Sequence, residues 1–299
     1  MDYQALLNRH LARYKQAVLG IRQPGIFKYR GRDVPKDHIL PLRFCWENLL
    51  PPARSMVKAF CATRGRLKLH QYFHHLNSSQ AFAFNLFFPY FEGGEQASAA
   101  LLRALGVQQA GLVSWEPEAV PDEDEGTNLD MRCVLSSGEV VLCEVKLSER
   151  DFGKASNDAK HRSKLQDTYR LLLASHVAHR LLTQEAFFGA YQILRNIWHL
   201  VSEPKSCLLF LLPRANEPLC HELESILRQV CPETRTRITS VAIEDVLRTL
   251  QVDPGCPSEL REYAGQLEAK YVPAACSQGA AAGGASDAPS ERRRGRRYY

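Results

Sequence analysis

The stretch TNLDMRCVLSSGEVVLCEVKLSERDFG, residues 127–153, constrains the fold more than any other part of the chain. Two runs rich in Val, Leu, Cys and Met are separated by Ser-Ser-Gly at 136–138, which is the pattern of a β-hairpin. A three-residue loop ending in Gly favours a type I turn followed by a left-handed residue, a conformation that Gly adopts at little cost. The stretch therefore predicts two antiparallel strands, at 128–135 and 139–147.

The register of this hairpin brings two carboxylates together. With Leu135 opposite Glu139, counting back along both strands places Asp130 opposite Glu144. Directly opposed side chains lie ~4.5–5.5 Å apart at Cβ, and like charges at that spacing destabilise a sheet. Because side chains alternate along a strand, Lys146 falls on the same face. A cation that neutralises the two acids is therefore expected.

Two explanations of the acidic face remain open from the residues alone. A divalent cation is one, because hard ions such as Mg2+ bind carboxylate and carbonyl oxygens. A surface cluster of salt bridges is the other, since E-x-K occurs often by chance. The opposite face is apolar and is predicted to be buried; it comprises Met131, Cys133, Val141, Cys143 and Val145.

Composition narrows the class of protein. With 299 residues, of which 45% are hydrophobic, the chain can bury a sizeable core, and one main domain is expected. The formal net charge is +5 and owes much to the terminal RRRGRR, so nucleic-acid binding requires a local basic patch. Nine cysteines without a CxxC pair predict free thiols in a reducing cytoplasm. No apolar stretch approaches the ~20 residues that a membrane helix needs, so no membrane association is expected.

Before the hairpin, the sequence predicts mainly helices. Helical periodicity covers 3–21, 44–61, 67–76, 78–90 and 95–105, and a short strand is expected at 112–116. On the third of these helices, His70 and His74 lie one turn apart, but no nearby Cys or acid completes a metal site.

The basic segment 23–36 is predicted to be a loop, because Pro and Gly interrupt any periodicity. Its cations, Lys28, Arg30, Arg32 and Lys36, are interleaved with Phe27 and Tyr29. Interleaved basic and aromatic side chains suit a nucleic-acid backbone. A solvated loop that packs its two aromatic rings against the protein is the alternative.

After the hairpin, helices are expected at 164–182, 186–201, 217–230, 243–250 and 259–272. The apolar run CLLFLL at 207–212 predicts a strand covered on both faces, and a further strand is expected at 238–243. The predicted domains are an N-terminal helical region at 1–77, a core with C-terminal helices at 78–273, and a disordered basic tail at 274–299.

The predicted order of elements is helix, three strands with acids on the second and third, helix, and apolar strand. This order resembles the core of the PD-(D/E)xK nuclease superfamily. The blocks SSQAFAFNLF, NLD, EVKLSERDFG and YQILRNIW, within 78–198, resemble one bacterial restriction-endonuclease-like family of that superfamily. The resemblance implies an α/β (α+β) fold, with a restriction-endonuclease-like αβββαβ core and added N- and C-terminal helices.

The resemblance also implies an active site. Its matching catalytic residues are Asp130, Glu144 and Lys146, and it implies Mg2+-dependent (or Mn2+-dependent) hydrolysis of a nucleic-acid phosphodiester, DNA being the expected substrate. The metal ligands would be Asp130, Glu144 and the main-chain carbonyl of Val145. Many members carry a Glu on the first core helix, where this chain has Gln80.

Three further polar residues are expected to contact substrate or water: Gln80, Gln192 and Arg195. Their alternatives are hydrogen bonds between core helices and, for Arg195, a structural salt bridge. The expected partner is nucleic acid. The sequence does not fix the oligomeric state, and a homodimer is one option. Two rival functions also remain: a catalytically inactive protein of this fold that binds nucleic acid, and a helical interaction scaffold whose hairpin acids form only a salt bridge.

Overall fold

The computed structural model describes residues 2–64, 67–107 and 111–277. Its strands are β1 (Gly25–Tyr29), β2 (Arg32–Lys36), β3 (Leu112–Ala119), β4 (Leu129–Leu135), β5 (Val140–Val145), β6 (Ser206–Leu212) and β7 (Ile238–Ala242). The first two form a separate ribbon, and the others form one sheet in the order β3-β4-β5-β6-β7. Strands β3, β4 and β5 are antiparallel neighbours, whereas β5, β6 and β7 run parallel. The predicted fold class is confirmed.

Helices surround this sheet. They are α1 (Tyr3–Ala17), α2 (Pro51–Arg64), α3 (Ser79–Phe91), α4 (Glu95–Ala104), α5 (Ala159–Lys164), α6 (Arg170–Leu173), α7 (Gln184–Gly189), α8 (Tyr191–Ser202), α9 (Glu217–Leu227), α10 (Pro232–Arg235), α11 (Ile243–Val252), α12 (Ser258–Tyr271) and α13 (Ala274–Ser277). A π-helix at Leu165–Tyr169 joins α5 to α6, and 3-10 turns occur at Leu42–Asn48 and His179–Leu182.

The β4–β5 hairpin has the predicted register. Arg132 pairs with Leu142 and Val134 pairs with Val140, while the Leu135 amide donates to the Glu139 carbonyl at 2.9 Å. Gly138 closes the turn with a φ of +76°, in the region that favours glycine. Asp130 and Glu144 therefore stand beside the end of the ladder, on the same face.

Two apolar cores cover the two faces of the sheet. The first joins α1, α3, α4, α11 and α12 to the sheet and includes all five residues of the predicted apolar face. The second lies under α6, α8 and α9 and includes Val140, Leu142 and Phe210. Every residue of β5 is buried because this strand is central and covered on both faces. Helix α1 contributes Leu7 and Leu11 to the first core, so the N-terminal region shares its core with the sheet.

Two predictions for the N-terminal region are wrong. The basic segment 23–36 is the β1–β2 ribbon, whose two-residue turn places Arg30 and Gly31 at φ of +48° and +76°. Segment 67–76 is not helical, and its C-terminal end bonds to the chain after β2: the Leu40 amide donates to the His74 carbonyl, and the Leu76 amide donates to the His38 carbonyl. His75 forms a β-bridge with Ile39 there. Tertiary pairing overrides the helical periodicity of this segment.

The first two predicted helices after the hairpin are interrupted. The first, at 164–182, is interrupted after Leu173, and the second, at 186–201, is divided between α7 and α8 at Ala190. The predicted tail begins with the helical turn of α13, where Cys276 packs against the first core. The rest of that tail, 278–299, lies outside the described residues.

All nine cysteines are free thiols, as predicted. In the described part of the chain, no helix is both long and apolar enough to cross a membrane.

A buried polar cluster on the second face ties the loop before β4 to the helices. The Glu125 side chain is almost fully buried and contacts Lys164 (3.0 Å), His199 (3.4 Å), Thr127 and Tyr169. Burial raises the pKa of Glu125, but the hydrogen bonds from these four groups outweigh it, so the pKa is lowered overall.

Replacing Glu125 by Gln should lower the free energy of unfolding at pH 7 by about 3 kcal/mol, the scale for removing one partner of a buried ion pair. Because the folded-state pKa is lowered, this stabilisation is present above the unfolded pKa of about 4.3 and is lost as the pH falls further. Urea denaturation between pH 3 and pH 8 tests both statements. The exposed neighbour Glu123→Gln is the control, and an equal loss in both variants would contradict the prediction.

Candidate active site

The residues predicted to form the active site lie together in one cleft of about 480 Å3 at the carboxyl end of β5. Strand β4 contributes Asp130, β5 contributes Glu144 and Val145, and Lys146 follows directly. The cleft is lined by residues of these strands, the end of β3, the start of α3, the loop at 70–77 and α8. All six side chains predicted to act in catalysis or substrate binding line it: Gln80, Asp130, Glu144, Lys146, Gln192 and Arg195.

Glu144 is held in one orientation from three sides. Its Oε1 accepts hydrogen bonds from Gln192 Nε2 at 2.6 Å and from Lys146 Nζ at 3.0 Å. Its Oε2 accepts from Asn196 Nδ2 at 3.1 Å, and the Arg195 guanidinium lies 3.9 Å away. Since Glu144 is buried, these partners offset the cost of removing its charge from water.

Among the described residues, Asp130 has fewer hydrogen-bond partners than Glu144. Its Oδ2 accepts from the Val145 amide at 2.6 Å, which fixes the carboxyl beside Glu144. Burial, together with the charges of Glu144 and Glu118, raises the pKa of Asp130 well above its usual range. Lys146 and the Val145 amide oppose this shift but do not cancel it. The surroundings of Asp130 therefore favour a proton or another cation beside its carboxyl.

Lys146 carries a full positive charge at neutral pH. Burial alone would lower its pKa, but the carboxylates of Glu144, Glu149 and Asp130 outweigh burial and raise it. Its Nζ also donates to Gln192 Oε1 at 2.9 Å. In this arrangement the group is an ammonium that offsets negative charge, rather than a neutral amine that accepts a proton.

A third carboxylate in the cleft, Glu118, was missed by the sequence analysis. It lies near the end of β3, which was predicted to stop at Glu116, before Pro117. The strand continues because β3 is the edge of the sheet, where a proline need not donate a ladder hydrogen bond. Glu118 has a φ of +51°, a strained value for this residue type. The acid-rich run from Glu116 to Glu125 was the available signal.

Glu118 is fixed by Gln80, the residue at the position of the helix acid. Gln80 Nε2 donates to Glu118 Oε1 at 3.0 Å, and Asn128 Nδ2 donates to its other oxygen. Burial and the charge of Glu144 raise the pKa of Glu118. Gln80 also accepts from the His70 amide at 2.8 Å and donates to the Lys68 carbonyl. The helix position thus supplies an amide that orients an acid from a neighbouring strand.

The two polar residues predicted on α8 also orient the acids. Gln192 bridges Lys146 and Glu144, and Gly153 passes so close that a Cβ there would lie 2.9 Å from Gln192 Oε1. Arg195 donates to the Asn128 carbonyl at 3.2 Å, which positions the start of β4. Asn196, a fully buried residue that the sequence analysis did not select, completes the contacts to Glu144. The predicted contacts of Gln80, Gln192 and Arg195 with substrate stay predictions.

The donor set of the cleft suits a hard cation. Carboxylate and carbonyl oxygens are the ligands that Mg2+ prefers, and Mg2+ keeps several waters rather than an all-protein shell. Within the described ranges, no three His, Cys, Asp or Glu side chains are placed to hold a metal ion by themselves. A cation here would therefore be held by two carboxylates and a carbonyl, with water or phosphate completing its shell. Neither His70 nor His74 belongs to this donor set.

Comparison with known proteins assigns the chain to a family. The model of the family described as "Restriction Endonuclease associating with ARP" matches residues 8–272, from α1 to the end of α12. The protein belongs to this family. Its restriction-endonuclease-like character agrees with the sheet order and supports a nuclease-like role in general. No curated protein and no solved structure matches the chain.

Proposed function

We propose that this protein is a metal-dependent nuclease of the PD-(D/E)xK type that hydrolyses nucleic-acid phosphodiester bonds, with DNA as its substrate. The observation that carries the proposal is the convergence of Asp130, Glu144 and Lys146 at the carboxyl end of β5. Membership of a restriction-endonuclease-like family supports the same class of reaction.

Asp130, Glu144 and the Val145 carbonyl would hold Mg2+ or Mn2+. When bound, such an ion activates a water molecule and stabilises charge on the phosphate. Glu144 is already oriented by Gln192 and Asn196, so binding requires little reorganisation of that side chain. The half-buried Asp130 is the more adaptable ligand, since the Val145 amide is its main hydrogen-bond donor in the described structure.

Lys146 acts on the phosphate rather than on the metal in this mechanism. Its ammonium lies 3.0 Å from Glu144 Oε1 and can orient the attacking water or offset charge developing on the phosphate oxygens. Gln192 keeps the ammonium in place through its Oε1. Arg195, at the same wall, is the proposed second cation for the phosphate.

A direct test combines thermal unfolding with a cleavage assay. Mg2+ should raise the melting temperature of the wild-type protein, because an ion that binds only the folded state stabilises it by mass action. The same protein should nick supercoiled plasmid in Mg2+ or Mn2+ but not in EDTA. If neither stabilisation nor cleavage occurs with duplex DNA, single-stranded DNA or RNA, the non-cutting nucleic-acid-binding protein becomes the better explanation.

Glu118 gives a finer prediction about the same site. Glu118→Gln removes one negative charge but can keep a hydrogen bond to Asn128, so the fold should be preserved. We expect the Mg2+ concentration for half-maximal cleavage to rise by about tenfold or more, the scale for residues that support metal ligands. Exposed Glu116→Gln on the same strand is the matched control. Equal metal dependence in both variants would assign Glu118 a purely structural role.

A further inference from the structure

We propose that the β1–β2 ribbon binds duplex DNA beside the active-site cleft and holds the backbone that flanks the cleaved bond. The inference rests on the proposed nuclease function for the nature of the partner. The ribbon carries four cations and one acid: Lys28, Arg30, Arg32 and Lys36, with Asp33. Among the described residues, none of these four cations forms an ion pair with a carboxylate of the protein.

The cleft needs such an element because its own charge opposes a phosphate backbone. Its walls carry four carboxylates, Glu118, Asp130, Glu144 and Glu149, and its cations Lys146 and Arg195 are already engaged with Glu144. A bound cation would offset part of this charge at one phosphate only. Affinity for the flanking phosphates must therefore come from basic groups outside the cleft.

The ribbon is attached directly to the wall of the cleft. Phe27 of β1 packs against Tyr72 and His75, with ring centroids 5.9 Å apart in both contacts. Tyr72 and His75 both line the cleft. The ribbon face that carries Phe27 therefore turns toward the wall that a substrate strand would follow out of the site.

Alternation places the cationic end of the ribbon on that same face. Phe27 pairs with Val34, and the next residues on this face are Tyr29 and Arg32, which pair with each other nearer the tip. The rings of Phe27 and Tyr29 are stacked 6.2 Å apart, and the Arg30 guanidinium lies 5.3 Å from the Tyr29 ring centroid. A continuous row of aromatic and cationic side chains thus leads from the cleft to the exposed tip.

The base of the ribbon is anchored to α1. Lys15 of α1 is fully buried and donates to the carbonyls of Gln23 (2.9 Å) and Ile39 (3.1 Å), which precede β1 and follow β2. Gly25 is required at this point, because a Cβ there would lie 2.5 Å from the Leu40 carbonyl oxygen. The ribbon is therefore held at a defined position relative to the cleft, as a recognition element requires.

The turn at the tip of the ribbon places an arginine where its backbone conformation favours Asn or Gly. Arg30 occupies the first position of the two-residue turn at φ of +48°, where Asn or Gly is favoured. Arg30 is exposed in this conformation, so its guanidinium faces solvent at the tip of the ribbon. A two-stranded ribbon can also enter the major groove of duplex DNA.

One buried group, His75, lies between the ribbon and the cleft. The Nε2 atom of His75 is buried without a hydrogen-bond partner among the described residues. Burial and the neighbouring His74, His38 and His70 lower the pKa of His75 to about 3, so the ring is neutral at pH 7. A neutral imidazole packs against the Phe27 ring without burying a charge, so His75 joins the ribbon to the wall of the cleft.

The test measures binding without cleavage. A fluorescent 30-base-pair duplex is titrated with the wild-type protein and with Arg30→Asn/Arg32→Gln in EDTA, over a series of salt concentrations. Asn suits the left-handed turn, so the melting temperature should be equal or higher. We expect the double variant to bind about tenfold or more weakly at 0.1 M salt. The slope of log K against log salt concentration should become shallower by about 1.8, for two lost phosphate contacts.

A matched control removes the same charge from the opposite end of the sheet. Lys205→Gln/Arg235→Gln changes two exposed cations near the start of β6 and in α10, and its binding should equal that of the wild type. If both double variants bind alike, or neither differs from the wild type, the ribbon proposal is overturned whether or not the protein cuts. Loss of binding confined to the ribbon variant supports it even if no cleavage is found, so the two proposals can fail separately.

Discussion

Asp130→Asn is expected to reduce cleavage by about 1,000-fold or more while making the metal-free protein more stable at neutral pH. Loss of a metal ligand removes several kcal/mol of charge stabilisation from the transition state. The stability gain follows from the raised pKa of Asp130, because its charged form is disfavoured by burial and by Glu144 and Glu118 in the folded state. Asn can keep the hydrogen bond from the Val145 amide.

The raised pKa of Asp130 also predicts how the stability of the metal-free protein changes with pH. Because the folded-state pKa is raised, the wild-type protein loses stability as the pH rises above the unfolded pKa of Asp, about 3.9. Asn does not titrate, so the melting temperature of Asp130→Asn should exceed that of the wild type by a margin that grows from pH 4 to pH 8 in EDTA. Added Mg2+ should raise the wild-type melting temperature and leave the variant unchanged.

Exposed Asp124→Asn provides the control and should alter neither property. If Asp130→Asn instead destabilises the metal-free protein and the wild type does not respond to Mg2+, the acids serve to hold Lys146 in a structural network. That result would favour the scaffold function over catalysis.

Lys146→Met is expected to separate metal binding from turnover. The ammonium is not a metal ligand, and its removal leaves the carboxylates with less positive charge, so Mg2+ should stabilise the variant at least as much as the wild type. Turnover should fall by about 100-fold or more, the scale for removing one group that stabilises charge in the transition state.

Lys146→Met is also expected to destabilise the metal-free protein. Lys146 is buried and bonded to both Glu144 and Gln192, so its loss leaves the buried carboxylate of Glu144 without the closer of its two ion-pair partners. We expect the free energy of unfolding to fall by about 3 kcal/mol in EDTA, and part of this loss should be recovered in Mg2+.

Lys154→Met removes an exposed lysine, 3.6 Å from Asp151, and should be neutral in both assays. A Lys146→Met protein that cleaves at the wild-type rate would exclude Lys146 from the reaction. Loss of the Mg2+ response in this variant would instead show that the lysine is needed to form the site.

Local patterns determined the core of this protein. The alternation of Met131, Cys133, Cys143 and Val145 and the glycine-closed turn at 136–138 contain the strand faces and the register. Because the period of a strand is two residues and its turn fixes the pairing, Asp130, Glu144 and Lys146 could be placed together from sequence alone. The apolar run before Pro213 likewise predicted the central parallel strand β6.

Tertiary structure decided the surroundings of these residues. Glu118 enters the cleft only because β3 is an edge strand that continues through Pro117, and strand order is not encoded in any local window. The segment at 67–76 has a helical period in the sequence but is not helical, because the residues around His75 pair with the chain near Ile39. Glu125 ends the acidic run at 122–125, yet the adjacent Thr127 and three partners from distant segments, Lys164, Tyr169 and His199, allow its burial. Such contacts join residues far apart in the chain, so the sequence supplies the reactive groups and the packing of distant elements decides which of them meet.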